Sequence, residues 1–157
     1  MNYTSTPTIL VTAAGGGVGQ CVIRAARLHD PSIRIIGTDA DPAAVGLYAA
    51  DVACVTKRFT EEGHMQQMQD ICEREHVDLL IPGIDPEILL FANERERFAS
   101  VGTQVMAGSP RSIMLCRDKW ETSRFFRERG LPFVRTWRLE EFGADADVDY
   151  PLIVKPT

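Results

Sequence analysis

The fold is decided by the stretch Thr8–Gly19, which reads TILVTAAGGGVG. Its first five residues have the apolar character of a short strand, and the glycines that follow allow a tight turn. A helical pattern begins directly after this turn. Its apolar residues have the spacing of one buried helical face: Val18, Cys21, Val22, Ala25 and Ala26. A strand, a glycine-rich turn and a helix in this order are typical of the first unit of a doubly wound α/β domain.

The same alternation continues to residue 108. Four further apolar segments predict strands, at residues 32–37, 52–55, 77–81 and 104–107. Helical patterns separate them, at residues 41–50, at 60–76 and from 85 onward. Asp41 and Pro42 are predicted to be the N-cap and first residue of their helix. Because strands that alternate with helices form a parallel sheet covered on both faces, residues 1–108 are predicted to form a Rossmann-like, doubly wound α/β domain.

The pattern changes after Gly108. A short helix over residues 109–116 is followed by a helix that Asp118 caps and Gly130 ends. Two strands are predicted next, at 133–139 and, as a buried strand, at 150–155. Since the sequence breaks off on this central-strand pattern, residues 109–157 are predicted to be the incomplete beginning of a second domain.

Composition narrows the classes of function. The chain has 157 residues, of which 45% are hydrophobic, and a formal net charge of −5. No basic surface for nucleic acid, no membrane segment and no signal peptide is visible, which predicts a cytoplasmic protein. The acids of residues 140–149 are predicted to form a solvated turn rather than a metal site. The four cysteines lack metal-binding spacing: Cys21, Cys54, Cys72 and Cys116. Because three of them fall within apolar runs, buried free thiols are predicted.

The glycine turn is the first candidate binding site. Gly15, Gly16 and Gly17 precede a helix whose N-terminal N–H groups could bind an anion, although any doubly wound domain benefits from such a turn. Asp39 ends the second strand, where dinucleotide-binding domains keep a ribose-binding acid, and it is either a ligand or a turn residue. These features keep an NAD(P)-binding oxidoreductase domain open as an alternative. Against it, Gln20 breaks the glycine fingerprint, and no Tyr-x-x-x-Lys pair is present.

A second candidate lies after the fourth strand. Asp85 and Glu87 follow that strand at the sheet edge where open α/β folds bind ligands, which would suit a substrate. Alternatively, Asp85 is the N-cap of the next helix and Glu87 complements the helix dipole.

Two lysines complete the candidates. Lys119 begins a helix in the segment Asp118-Lys119-Trp120-Glu121, and Lys155 ends the predicted buried strand in PLIVKP. A lysine at the end of a buried strand must bring its ammonium to an anion or to water, because burial without a partner is costly. Two such cations could neutralise a triphosphate.

The order of these motifs resembles ATP-grasp proteins, most closely the carbamoyl-phosphate synthase large chain and related carboxylate–amine ligases. The resemblance rests on four segments: residues 9–19, 77–87, 118–132 and 151–156. It implies that residues 1–108 are a pre-ATP-grasp domain and that Lys119 and Lys155 bind ATP phosphates, with magnesium bridging the phosphates. It also implies a reaction in which a carboxylate is activated as an acyl phosphate and an amine displaces the phosphate.

The resemblance further implies which parts of the active site lie elsewhere. The glycine-rich phosphate loop, the adenine-binding hinge, the late magnesium ligands and the catalytic arginine of such ligases have no counterpart in these 157 residues. We therefore expect this chain alone to be inactive. The expected partners are small-molecule carboxylates and amines, with a homo-oligomer or a chain that carries the rest of the ATP-grasp domain as further possibilities. A non-catalytic α/β binding or regulatory module is the remaining alternative.

Overall fold

A computed structural model describes residues 6–142 and 151–155 of the chain. It divides into two compact units, Met1–Ser109 and Pro110–Thr157. The strands of the first unit are β1 (Thr8–Val11), β2 (Arg34–Asp39), β3 (Val52–Val55), β4 (Leu79–Ile81) and β5 (Gln104–Val105). Its helices are α1 (Gly17–His29), α2 (Val45–Ala49), α3 (His64–Arg74), α4 (Asp85–Asn93) and α5 (Arg95–Ala99).

The five strands form one sheet in the order β3-β2-β1-β4-β5, and every pairing is parallel. From β1 the chain winds outward through β2 to β3, and it then returns to the other side of β1 to form β4 and β5. The order therefore reverses between β1 and β4, where Leu10 lies opposite Leu80. This arrangement confirms the predicted doubly wound α/β fold.

The strands separate two apolar cores because successive side chains point to opposite faces of a sheet. Leu10 points to a core that Met68 of α3 and Phe91 of α4 complete. Its neighbours Ile9 and Val11 point to the opposite core, which α1 and α2 cover. Helices on both faces bury all three of these strand residues, as a parallel sheet requires.

Two glycines let neighbouring segments approach the end of β1 closely. A Cβ atom added at Gly46 would lie 1.9 Å from the carbonyl oxygen of Ala14, and one added at Gly83 would lie 2.1 Å from that of Thr12. Real Cβ atoms do not approach that closely, so α2 and the segment after β4 reach their positions only with glycine there.

Three local predictions for the first unit are wrong. The inner side of α1 contains Gly19 and Ile23, because Gly19 packs against the carbonyl of Ala13. Of the predicted face, Val22 and Ala26 are partly buried against the core, whereas Val18, Cys21 and Ala25 are exposed. The helix α2 starts at Val45, and the Asp41 carboxylate instead accepts the N–H of Ala43 in the preceding turn, at 2.9 Å. The N-cap of α4 is Ile84, so Asp85 is the first helical residue.

The second unit contains α6 (Pro110–Arg117), α7 (Lys119–Glu128) and a 3₁₀ turn at Leu139–Glu141. The predicted cap of α7 is confirmed, because Asp118 Oδ1 accepts the N–H groups of Trp120 at 2.9 Å and Glu121 at 3.0 Å. After this helix, Gly130 has a φ of +65°, a conformation in which glycine commonly ends helices.

The two strands predicted for the second unit are wrong for the residues that the structure describes. Residues 131–138 and 151–155 have no regular secondary structure, and Ile153 and Val154 are 82% and 92% exposed. A strand needs a neighbour to pair its N–H and C=O groups, and the described part of this unit has no other strand. Tyr150 and the acids at positions 145, 147 and 149 lie outside the described residues.

The prediction for the cysteines is largely wrong. All four are free, but only Cys72 is buried, while Cys21 and Cys116 are exposed. Within the same described residues, no three or more acids, histidines or cysteines group as a metal site would require. None of the helices there has the length and apolar character that a membrane crossing needs.

Candidate functional site

A cleft of about 350 Å³ opens at the carboxyl edge of the sheet. The residues that line it follow β1, β2, β3 and β4: Ala13, Thr38, Asp39, Ala40, Thr56, Lys57, Arg58, Phe59, Thr60, Ile84 and Glu87. The cleft therefore adjoins the point where the strand order reverses. Open α/β sheets bind their ligands in this position.

Thr12 holds the lining residue Glu87 from below the cleft, across the β1–β4 junction. Both side chains are buried, with 1% and 6% of their surface exposed. The Thr12 hydroxyl donates to Glu87 Oε2 and accepts the N–H of Gly83 at 2.9 Å. An ionised carboxylate can only accept, so the hydroxyl hydrogen is directed to it while a lone pair of the hydroxyl accepts from Gly83.

Glu87 is a buried acid with an open oxygen. Burial raises the pKa of Glu87, the negative charge of Asp39 adds to this increase, and the hydrogen bond from Thr12 opposes it. Its second oxygen, Oε1, has no hydrogen bond within the described residues and is not among the fully buried atoms that lack a partner. Oε1 therefore faces the cleft, where it could accept a hydrogen bond from a ligand.

Both carboxylate oxygens of Asp39 accept hydrogen bonds from backbone N–H groups. Oδ2 accepts the N–H of Gly15 at 2.8 Å, and Oδ1 accepts the N–H of Asp41 at 2.9 Å. These bonds tie the end of β2 to the glycine turn after β1. They favour the turn role that the sequence left open for Asp39, and they weaken the argument for a ribose ligand.

The turn after β1 has a strained residue at the cleft. Ala13 has a φ of +46°, a region that residues with a side chain rarely adopt, and its carbonyl accepts the N–H of Gly16 at 2.9 Å. Strained backbone of this kind clusters at ligand-binding and catalytic sites. The conformation of Ala13 is consistent with a functional cleft here.

The opposite wall of the cleft is the loop over residues 56–63, between β3 and α3. The loop is closed by Lys57, whose Nζ donates to the carbonyl of Glu62 at 2.8 Å and whose own carbonyl lies 2.9 Å from His64 Nδ1. The loop turns into α3 at Gly63, whose φ of +83° is a conformation that glycine adopts readily. Arg58 is exposed, and its guanidinium has no hydrogen bond or ion pair within the described residues. Lys57 and Arg58 are both among the residues that line the cleft.

Only one of the substrate-binding residues predicted in the first unit lines the cleft. Glu87 lines the cleft, whereas Asp85 is exposed and is not part of the lining. Gly15, Gly16 and Gly17 form the turn and the start of α1, next to the lining residue Ala13.

The two predicted phosphate-binding lysines are exposed residues of the second unit. Lys119 donates to the carbonyl of Cys116 at 2.8 Å. Lys155 makes no hydrogen bond or ion pair with another described residue. These observations do not test a role in phosphate binding, which stays a prediction for both residues.

The sequence did contain a signal for the residues that were missed. A threonine stands within one residue of the end of each of the first three strands: Thr12, Thr38 and Thr56. All three are buried, which is unusual for a polar residue and indicates a role at this edge. Lys57 and Arg58 follow the third of them, so the polar wall could be located from the strand ends alone.

Comparisons with known proteins show the family of this chain. The sequence profile described as PylC-like, N-terminal domain, matches residues 9–106. Carbamoyl-phosphate synthase of Methanobrevibacter smithii is 26% identical over 133 residues, which cover 82% of this chain and 35% of that protein.

Solved structures show the same fold at low sequence identity. The biotin carboxylase subunit of pyruvate carboxylase has a TM-score of 0.57 and 16% identity, over 82% of this chain and 28% of that one. The biotin carboxylase domain of Hydrogenobacter thermophilus 2-oxoglutarate carboxylase, solved as a dimer with MgADP, ADP and bicarbonate, has a TM-score of 0.58 and 15% identity. It is matched over 83% of this chain and 29% of its own length.

Because the profile matches more than half of its residues, the chain belongs to the PylC-like N-terminal domain family. The resemblance to carbamoyl-phosphate synthase that the motifs indicated is confirmed. The chain spans about a third of the length of these relatives.

Proposed function

We propose that this chain is the N-terminal portion of an ATP-grasp ligase, which activates a carboxylate as an acyl phosphate with Mg-ATP and joins it to an amine. The observation that carries the proposal is the similarity to carbamoyl-phosphate synthase, which spans 82% of the chain. An alignment of that length reaches Lys119 wherever it begins, so the similarity is not confined to the α/β unit.

In this proposal the two units have different tasks. Residues 1–108 form a pre-ATP-grasp domain that shapes the site of the acceptor substrate, and residues 109–157 begin the ATP-grasp domain. The division of the structure after Ser109 supports this boundary. Within residues 109–157, the Asp118 cap fixes Lys119 as the first residue of α7, where its side chain is exposed.

The phosphate-binding role is assigned to Lys119 and Lys155. Both side chains are exposed, and a lysine is a point charge suited to phosphate oxygens. The magnesium ligands are assigned, by the resemblance to ATP-grasp ligases, to a part of the protein outside these 157 residues. This chain alone is accordingly expected to be inactive.

The acceptor site is assigned to the cleft at the β1–β4 junction. Glu87 supplies the open oxygen Oε1 there, and Thr12 and Gly83 fix the position of its carboxylate. Asp85 is the weaker candidate because it lies outside the cleft lining. Gly15, Gly16 and Gly17 are assigned to the neighbouring edge of the same site.

Hydroxylamine trapping tests the proposal. A protein that carries this chain together with its downstream sequence is incubated with Mg-ATP, hydroxylamine and a panel of small carboxylates. Formation of a hydroxamate that depends on both ATP and one carboxylate would support acyl-phosphate chemistry. NAD(P)-dependent oxidation or reduction with no ATP consumption would contradict it and favour the oxidoreductase alternative.

A further inference from the structure

We propose that His64 positions the basic wall of the cleft, the loop over residues 56–63, and that protonation of its ring releases this loop. The relevance of the release to catalysis rests on the proposed function, which assigns the acceptor site to the cleft. The release itself follows from the contacts that His64 makes with the loop and with the core.

His64 joins the loop to the core of the first unit. It is the first residue of α3, and its Nδ1 lies 2.9 Å from the carbonyl oxygen of Lys57. Its ring also packs against Phe91 of α4, with the two ring centroids 6.2 Å apart. Because His64 and Phe91 are both buried, the imidazole fixes the loop backbone at Lys57 against the interior of the protein.

The closed loop accepts only the neutral ring of His64. A carbonyl oxygen can only accept, so the nitrogen that faces Lys57, Nδ1, must carry the proton. Nε2 is then a bare acceptor, and within the described residues it is the one buried side-chain nitrogen or oxygen without a hydrogen-bond partner. A proton added to Nε2 would place a charged donor in the interior with nothing to accept it, which is costly.

The charged groups near His64 do not remove this cost. Burial lowers the pKa of His64, and it outweighs the negative charge of Glu61, the acid that favours the protonated ring. Lys57, the cation at the contact, disfavours a second cation beside it. The helix α3 has no acid in its first turn. On the core side α4 faces the ring with Phe91, and its buried acid, Glu87, bonds to the residue after β1 instead.

The other contacts of the loop are made by exposed groups. Residues 57–63 are all exposed. The N–H of Lys57 donates to Gln67 Oε1 at 2.9 Å. The N–H of Arg58 donates to Glu61 Oε2 at 2.6 Å. Water replaces hydrogen bonds of exposed groups at little cost, so such a segment opens at a free energy well below that of global unfolding.

The two ends of the loop confine the opening. At one end Thr56 is buried, and its N–H donates to the carbonyl of Asp39 at 2.9 Å. At the other end Gly63, with a φ of +83°, forms the junction with α3. Release between these points leaves the sheet intact but moves Lys57 and Arg58, both of which line the cleft. The cleft would therefore keep its cations at neutral pH and lose them in acid.

Long-range ¹H–¹⁵N NMR of the 157-residue chain tests the closed state. The ring of His64 is expected to be neutral at pH 7, with its proton on Nδ1. A neutral ring with its proton on Nε2 would overturn the inference, because Nδ1 could then not donate to the carbonyl of Lys57.

Amide hydrogen exchange in the same chain tests the release. Protection factors of the Arg58 and Glu61 amides, corrected for the intrinsic pH dependence of exchange, are expected to fall roughly ten-fold between pH 7 and pH 5. Low concentrations of urea should hardly affect them, because a local opening exposes little new surface. The amide of Leu10, in the buried core, should be better protected and should lose protection steeply with urea.

Three variants separate the contact with the loop from the protonation. His64→Leu lacks the bond to Lys57, and its loop amides should be roughly ten-fold less protected at pH 7. His64→Gln can keep that bond but cannot be protonated, so its loop amides should stay protected at both pH values. His29→Gln, which changes an exposed histidine, should keep the wild-type response.

Loop protection that does not change between pH 7 and pH 5, or that falls equally in His64→Gln, would overturn the inference. So would loop amides that lose protection with urea as steeply as Leu10, because the release would then be global unfolding. These measurements contain no ATP, so their failure is distinguishable from failure of the proposed function. Hydroxamate formation by the longer protein, together with a loop that does not respond to pH, would reject the switch and leave the ligase assignment in place.

Discussion

Thr12 and Glu87 are 75 residues apart in the sequence, yet one hydrogen bond joins their buried side chains at the point where the strand order reverses. The same hydroxyl accepts the N–H of Gly83, so it links the end of β1 to the start of α4. The position of the Glu87 carboxylate, and with it the acidic side of the cleft, depends on this one threonine.

Removal of the Thr12 hydroxyl should therefore destabilise the first unit. Thr12→Val keeps the shape of the side chain but leaves the N–H of Gly83 and the Glu87 carboxylate without their partner. We expect the free energy of unfolding to fall by about 2 kcal/mol in urea titrations. Thr38→Val is the matched control, because Thr38 is equally buried but makes no side-chain hydrogen bond within the described residues. Equal losses in the two variants would contradict the role of the Thr12 hydroxyl.

Alanine substitutions at Gly46 and Gly17 should affect the stability of the first unit differently. Gly46→Ala would place a Cβ atom 1.9 Å from the carbonyl oxygen of Ala14, and we expect a loss of about 2–3 kcal/mol in unfolding free energy. At Gly17 an added Cβ atom meets nothing within 4 Å, and alanine is the better helix former. Gly17→Ala should thus leave the stability unchanged or raise it by up to about 1 kcal/mol. A large loss at Gly17 would show that the turn is packed differently.

His64 should make stability depend on pH below neutrality. Burial lowers the pKa of His64, while its contact with the Lys57 carbonyl and the charge of Glu61 oppose this shift. Nδ1 faces that carbonyl, and Nε2 is buried without a partner, so the neutral ring is the favoured form. Because the pKa of His64 is lower in the folded state, its contribution to the free energy of unfolding is fully present above the unfolded pKa of 6.5. This contribution is lost as the pH falls from 6.5 through the folded pKa.

Urea titrations across that pH range measure the effect. His64→Gln can keep the bond to the Lys57 carbonyl and should flatten the pH dependence of the unfolding free energy below 6.5. His29→Gln, at an exposed position, should retain the wild-type slope. An unaltered slope in His64→Gln would exclude this histidine as the source.

Glu87 should make stability depend on pH in the direction opposite to that of His64. Its folded pKa is raised, chiefly by burial, so its contribution to stability is largest below the unfolded value of 4.5 and is lost as pH rises through the folded pKa. Glu87→Gln can still accept from Thr12 and has no charge to bury. We expect this variant to be at least as stable as the wild type near neutral pH, measured by urea unfolding. A clear loss of stability would mean that the ionised carboxylate has a stabilising partner.

The sequence predicted those parts of the fold that depend on periodicity. The apolar runs around Leu10, Ile36 and Leu80 each became a buried strand, because a sheet covered on both faces needs continuous apolar residues. The inner face of α1 was not predictable in this way, since the close approach of Gly19 to Ala13 is a tertiary contact that leaves no periodic pattern.

The site was predicted only in part for a similar reason. Glu87 follows a strand and could be found from its position, whereas the roles of Thr12 and Gly83 arise from contacts across more than seventy residues of sequence. In the second unit, the apolar run at 151–155 had the composition of a buried strand. Composition does not supply a pairing partner, and the residues described there are exposed.

The central claim is that this chain begins an ATP-grasp ligase, and Mg-ATP affinity tests it most directly. Equilibrium binding is measured for a protein that carries this chain with its downstream sequence, as wild type and as Lys155→Ala, Lys119→Ala and the control Arg24→Ala, which removes an exposed cation of α1 outside the cleft lining. We predict that each of the first two variants binds Mg-ATP at least roughly ten-fold more weakly, since each loses a charge-assisted phosphate contact, and that the control binds normally. Wild-type affinity in both Lys155→Ala and Lys119→Ala, or binding of NAD(H) with no binding of Mg-ATP, would contradict the claim.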